Sequence, residues 1–215
     1  MSGQQVRRKI YAINGSASRN SSNQKLIDNF ILLTKDRFEV TVLEDLKILP
    51  PFDPELTHEH TPDVITVVRD NIANAEGVLI CSPEYIFSIP SGLKNLFEWC
   101  VSTTVFSDKP TGLITAAASG TKGHEELQLI MSTVMASFTT ETMLLIQGVK
   151  GKINASGDIV DADVKRKLQT FADAFKEHVE ASFLRTAVDS PMASPVPFSR
   201  QLGFSWASEF RFTVL

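Results

Sequence analysis

Short apolar runs alternate along this chain with segments whose apolar residues recur at helical spacing. Residues 9–13 form such a run and stop at Asn14-Gly15-Ser16, which reads as a strand followed by a turn. From Asn23, the apolar positions Leu26, Ile27, Phe30, Ile31 and Leu33 fit a helix. Residues 38–43 alternate and are rich in β-branched residues, which reads as a second strand. Residues 44–61, with Pro50, Pro51 and Pro54, read as a long loop, and Pro62 suits the first turn of a helix carrying Val64, Ile65, Val68 and Ile72. Residues 77–81 are continuously apolar, as in a strand buried on both faces. A helix over 91–103, a buried strand over 111–118, a helix over 124–137, a strand over 142–147 and an amphipathic helix over 164–184 complete the pattern.

Strict strand–helix alternation implies a parallel sheet with helices on both faces, a three-layer α/β sandwich. Five strands match the flavodoxin-like order 2-1-3-4-5. Residues 1–184 are therefore expected to form one domain, with 185–215 as a C-terminal extension. In it a Pro-rich linker, Ser190 to Pro197, precedes Phe204, Trp206, Phe210 and Phe212. Four aromatics within nine residues favour docking onto the body or a partner subunit over a solvated tail.

A formal charge of −4, from 21 basic and 25 acidic residues, argues against a nucleic-acid-binding surface. No apolar run approaches the roughly 18 residues that span a membrane, and the polar N-terminus lacks a signal-peptide core, so a cytoplasmic location is expected. Cys81 and Cys100 read as reduced thiols, and His58 and His60 as a solvated loop, so no metal site is expected.

In an open parallel sheet, ligands bind beyond the carboxyl ends of the strands near the switch in strand order. The loop after strand 1, residues 15–23, holds Ser16, Ser18, Arg19, Ser21, Ser22 and Asn23 and opens into a helix. Unpaired amides at a helix start attract anions, and one N-cap would not need so many hydroxyls, so this loop is expected to cradle a phosphate. It lacks G-x-x-x-x-G-K-[ST] and G-x-G-x-x-G, which leaves a nucleoside triphosphatase and a dinucleotide fold unsupported. After strand 3, Pro83, Glu84, Tyr85, Ile86 and Phe87 offer a stiff aromatic edge for a flat ring. After strand 4, Ser119, Gly120, Thr121 and Gly123 permit close backbone approach. Together the loops suit a phosphorylated planar heterocycle.

The chain resembles the NADPH-dependent FMN reductase family, which includes quinone, azo and chromate reductases. Gly15, Ser16, Ser21 and Asn23 fit its G-S-x-R-x-x-S-x-N phosphate motif; Ser18 stands at the arginine position and Arg19 follows it. Pro83-Glu84-Tyr85, Ser88, Pro90, Leu93-Lys94-Asn95 and Trp99 fit its P-E-Y-…-S-x-P-x-x-L-K-N-…-W signature, and Ser119, Gly120 and Gly123 resemble a third flavin-contacting loop.

The resemblance implies FMN as cofactor, NAD(P)H as electron donor, a small-molecule acceptor, ping-pong hydride transfer on the flavin, and a homodimer or homotetramer. It places the phosphate on Ser16, Arg19, Ser21, Ser22 and Asn23, the ring against amides around Glu84, Tyr85 and Ile86, and the pyrimidine end at residues 119–123. The chemistry sits on the cofactor, so no catalytic triad is expected. Glu84 reads as loop-shaping, and Phe97, Trp99 and Phe106 as core or interface. A non-enzymatic electron carrier and a flavin-bound interaction protein stay open as alternatives, because fold alone does not fix function.

Overall fold

The computed structural model describes residues 6–18, 20–57 and 59–189. A five-stranded parallel sheet in the order β2-β1-β3-β4-β5 forms its centre. The strands are β1 (Arg8–Asn14), β2 (Phe38–Leu43), β3 (Gly77–Ser82), β4 (Thr111–Ala117) and β5 (Met143–Gln147). They alternate with α1 (Ser22–Thr34), α2 (Asp63–Asn74), α3 (Ser91–Cys100), α4 (Thr121–Thr133) and α5 (Ala162–Asp189). β3 and β4 are buried along their whole length, as their largely apolar sequences suit, with Ser82, Thr111 and Thr115 as their buried polar residues.

Side chains of successive strand residues point to opposite faces and feed two separate cores. Tyr11, Ile13, Val78, Ile80 and Leu113 pack with α2, α3 and α4 on one face; Ile10, Ala12, Leu79, Ile114 and Ala116 pack with α1 and α5 on the other. The second core is aromatic, with Phe30, Phe38, Phe171 and Phe175 at centroid distances of 5.7 to 6.2 Å. Gly112 on β4 makes room for it: a Cβ there would lie 2.8 Å from Phe171 Cζ. Cys81 and Cys100 are free thiols buried in different cores, and burial pushes Cys81 up and Cys100 up to about 12.

Several boundaries differ from the sequence expectation. α4 begins at Thr121 and ends at Thr133, not 124–137, because Gly120 (φ 88°) starts it and the chain turns out at Val134. α3 ends at Cys100; Arg69 of α2 donates to the Trp99 carbonyl and closes that end. The loop over 44–61 contains single 3-10 turns at Leu46–Ile48 and Pro54–Leu56. α5 continues past 184 to Asp189, and the Arg8 guanidinium sits 3.4 Å over the Phe183 ring. The linker from Ser190 and the aromatics Phe204, Trp206, Phe210 and Phe212 lie outside the described residues, as does His58.

Phe97, Trp99 and Phe106 belong to the core. Trp99 Nε1 and Asn95 Nδ2 both donate to the Pro50 carbonyl (2.9 Å each), and Asn95 Oδ1 accepts from Phe52 N (2.7 Å). The signature's Asn and Trp therefore fasten α3 to the proline-rich loop.

Candidate functional site

The first loop is built by Asn14, the buried last residue of β1. Its Oδ1 accepts from Ser16 N (3.0 Å) and its Nδ2 donates to Gln24 Oε1 (2.9 Å), tying the loop to α1. Ser16 Oγ accepts from Ser18 N (3.2 Å), and Ser21 Oγ, the N-cap of α1, accepts from Gln24 N (3.0 Å). Each hydroxyl thus serves the backbone as an acceptor and keeps its own O–H as a donor. The amides of Ser22 and Asn23 precede the first intrahelical bond and have no partner within α1. The Asn23 side chain turns inward: Nδ2 donates to Ala116 O (3.3 Å) and Oδ1 accepts from the Cys81 thiol (3.3 Å). Towards the loop, Asn23 offers backbone.

The second loop is a two-residue hairpin. Tyr85 N donates to Ser88 O (2.9 Å) and Ser88 N to Tyr85 O (3.1 Å), leaving Ile86 (φ 54°) and Phe87 (φ 57°) at the tip. Positive φ at both central residues is the mark of a type I′ turn, which favours Asn and Gly. Side chains with a Cβ cost roughly 1–2 kcal/mol each in this region. Ile86 is 96% and Phe87 74% exposed, so this apolar tip stands out from the body.

Two carboxylates hold the strained hairpin. Glu84 Oε1 accepts from Gly120 N (3.1 Å) and Oε2 from Gly123 N (2.9 Å), capping α4 from another loop. The Gly123 N–H is the main cause holding the Glu84 carboxyl below the usual carboxylate range, against desolvation, with the Gly120 and Lys122 N–H groups adding to it. Glu126 on α4 returns the contact: its Oε2 accepts from Ser88 Oγ (2.6 Å) and Ile89 N (2.9 Å). A Cβ at Gly123 would lie 3.2 Å from Glu84 Cβ, so a larger residue there would push Glu84 back by a few tenths of an ångström. Beside it, His124 Nδ1 and Thr115 Oγ1 share a hydrogen bond of 2.8 Å, and burial holds the imidazole below its ordinary pKa.

A cleft of about 420 Å³ opens between these loops. Ser16, Ser18, Ser21, Ser22 and Asn23 line it on one side and Pro83, Glu84 and Tyr85 on another, so eight of the sequence candidates meet there. Ile86 stands at the hairpin tip and does not line it. Ser119, Gly120, Thr121 and Gly123 form the entry to α4, connected to the cleft through Glu84 rather than lining it. The amides of Gly120 and Gly123, expected from the sequence as ligand donors, here donate to Glu84, and that of Tyr85 donates to Ser88. Arg19 lies outside the described residues.

Sequence reasoning missed Asn14, Glu126, the floor Ala116–Ala118 and the wall Gly148–Lys150. The wall had a signal: it follows a fifth strand whose carboxyl end faces the same rim. Among the described residues, no group of three or more His, Cys, Asp or Glu is gathered to hold a metal, and no helix is long and apolar enough to cross a membrane.

The family model for NADPH-dependent FMN reductase matches residues 8–148. The 2-hydroxy-1,4-benzoquinone reductase of a Burkholderia species is 29% identical over 173 residues, covering 78% of this chain and 93% of that one. The solved flavoenzyme NAD(P)H:(acceptor) oxidoreductase FerB from Paracoccus denitrificans superposes with a TM-score of 0.71 at 23% identity, over 81% of this chain and 98% of its own. Flavodoxin 1 from Bacillus cereus superposes at 0.55 and 14% identity, over 79% and 98%. These structural likenesses establish the flavodoxin-like fold.

Proposed function

Because the chain belongs to the NADPH-dependent FMN reductase family, we propose that it passes electrons from NAD(P)H through FMN to a small quinone-like acceptor, with the cleft between the first two loops as its flavin site. The single observation that carries the site is the meeting of eight sequence candidates on one cleft at the carboxyl rim of the sheet. The acceptor class follows the benzoquinone reductase among the relatives.

The donors present fit FMN. Ser16 and Ser21 retain hydroxyl protons, and the open amides at the start of α1 add a positive helix end suited to a phosphate monoester. Arg19 belongs to the same loop by sequence, and a charge-assisted hydrogen bond from a guanidinium to a phosphate is worth on the order of 1.5–3 kcal/mol. Tyr85 and Pro83 present an apolar edge to a flat ring, while the small side chains of Ala116–Ala118 let it approach the sheet. Bound FMN supplies the hydride chemistry; these residues bind and orient it. Glu84 acts by holding the second loop against α4 and so fixing the edge on which the ring rests.

A homodimer or homotetramer working in the cytoplasm completes the proposal. Tyr85, Ile86 and Phe87 give one apolar, exposed surface suited to a partner copy.

Titrating the purified chain with FMN, then anaerobically with NADH and NADPH, tests the reading. Saturable uptake of yellow FMN and its bleaching by a nicotinamide are expected. A chain that takes up no FMN at micromolar concentrations overturns it.

A further inference from the structure

We infer that Lys150, on the turn after β5, is a cation that neutralises the FMN phosphate; this rests on the flavin site proposed above. No motif marks this residue. The fold brings it to the same cleft as Ser16, Ser18 and Ser21, from a position more than a hundred residues along the chain.

The turn is fixed between the end of β4 and the core beneath α1. Gly148 takes a left-handed conformation (φ 60°) and its N–H donates to Ala118 O (3.0 Å), while the Val149 side chain is buried in the core shared with α1. Further on, Lys25 Nζ of α1 donates to the carbonyls of Asn154 (3.0 Å) and Ala155 (3.2 Å), and Asn29 Nδ2 to that of Gly157 (2.9 Å). The turn bearing Lys150 is thus bonded to the residue after β4 and packs through Val149 on the core it shares with α1, and the segment that follows it is bonded to α1.

The charge balance of the cleft calls for such a residue. A phosphate monoester carries about −1.5 to −2 at neutral pH, whereas hydroxyls and amides carry no net charge. Ser18 occupies the motif's arginine position, and the one cation the first loop carries by sequence, Arg19, leaves part of a charge near −2 unbalanced. Lys25 is engaged with backbone carbonyls, and Lys122 pairs with Glu125 at 2.7 Å. Among the described residues, Lys150 is the cation that lines the cleft. Glu84, the lining acid, has its carboxylate directed to the Gly120 and Gly123 amides. A lysine on an exposed turn, with a flexible stem and a compact charge, can reach an anion without rearranging the fold.

The test compares binding of FMN and of riboflavin, which lacks the phosphate, to the full chain and to Lys150→Met by flavin fluorescence quenching at several salt concentrations. Lys150→Met is expected to weaken FMN about five- to tenfold, to leave riboflavin unchanged, and to flatten the salt dependence of FMN binding, with Lys150→Arg restoring most of the loss. A variant that keeps the wild-type ratio of FMN to riboflavin affinity, or that loses both flavins equally, overturns the assignment. A wild-type chain that binds neither flavin overturns the flavin site itself and this inference with it, a result distinct from any change confined to the variant.

Discussion

The Glu84 carboxylate accepts a hydrogen bond of 2.9 Å from the amide of Gly123, joining the loop after β3 to the first turn of α4. A negative charge here faces the positive end of a helix and satisfies amides that no intrahelical carbonyl reaches. Glu84→Gln removes the charge and is expected to cost about 1 kcal/mol of stability. Because the folded carboxyl titrates below its usual range, its contribution is full above the unfolded value of about 4.3 and is lost as pH falls through the folded pKa. Urea denaturation of both proteins should show a gap at pH 7 that closes under acid. A gap unchanged at pH 3 would contradict a charge-based cap.

His124 responds to acid in the opposite chemical sense. Burial favours its neutral form, so the unfolded chain binds the proton more readily. Stability associated with this residue is present above the unfolded pKa of about 6.5 and declines as pH falls towards the folded value. His124→Gln should flatten the stability profile between pH 7 and pH 5. Parallel profiles for the two proteins would show that the imidazole is not held neutral.

The Ile86–Phe87 tip is strained and apolar at once. Replacing it with Asn-Gly, the pair a type I′ turn prefers, should raise stability by about 1 kcal/mol or more. The same double variant should self-associate less in sedimentation, since it removes the exposed apolar surface. A variant with lower stability would mean that the side chains, despite their exposure, support the fold.

Gly112 has no room for a methyl group beneath Phe171. Gly112→Ala is expected to cost about 1–3 kcal/mol through overpacking. Thermal unfolding measures it, and an unchanged midpoint would show that the aromatic core yields more easily than its geometry implies.

Much of this architecture was legible in the chain. Predominantly apolar runs over residues 77–81 and 111–118 marked central strands because a strand buried on both faces carries few polar side chains, and Thr111 and Thr115 are buried with their hydroxyls hydrogen-bonded. Helical periodicity gave the intervening layers, and the resulting alternation left few topologies. The Ser-rich loop and the Pro83-Glu84-Tyr85 signature identified two walls of the cleft because their chemistry is local.

Helix starts were less legible. α4 begins three residues earlier than its apolar pattern because Glu84, distant in sequence, caps it. The roles of individual candidates also waited for the fold. Asn23 spends its side chain on Cys81 and Ala116, and Gly120 and Gly123 spend their amides on Glu84, partners that no spacing reveals.

The sequence by itself determined the order of elements, the sheet and the residues able to meet a phosphorylated ring, since periodicity and loop chemistry act over a few neighbouring positions. Only the tertiary structure decided which donors remain open and that Gly148–Lys150 forms a wall of the cleft. Hydrogen bonds between distant loops consume donors one by one, and the parallel order of the sheet puts the carboxyl ends of β1 and β5 on one rim, where the residues after each line the same cleft.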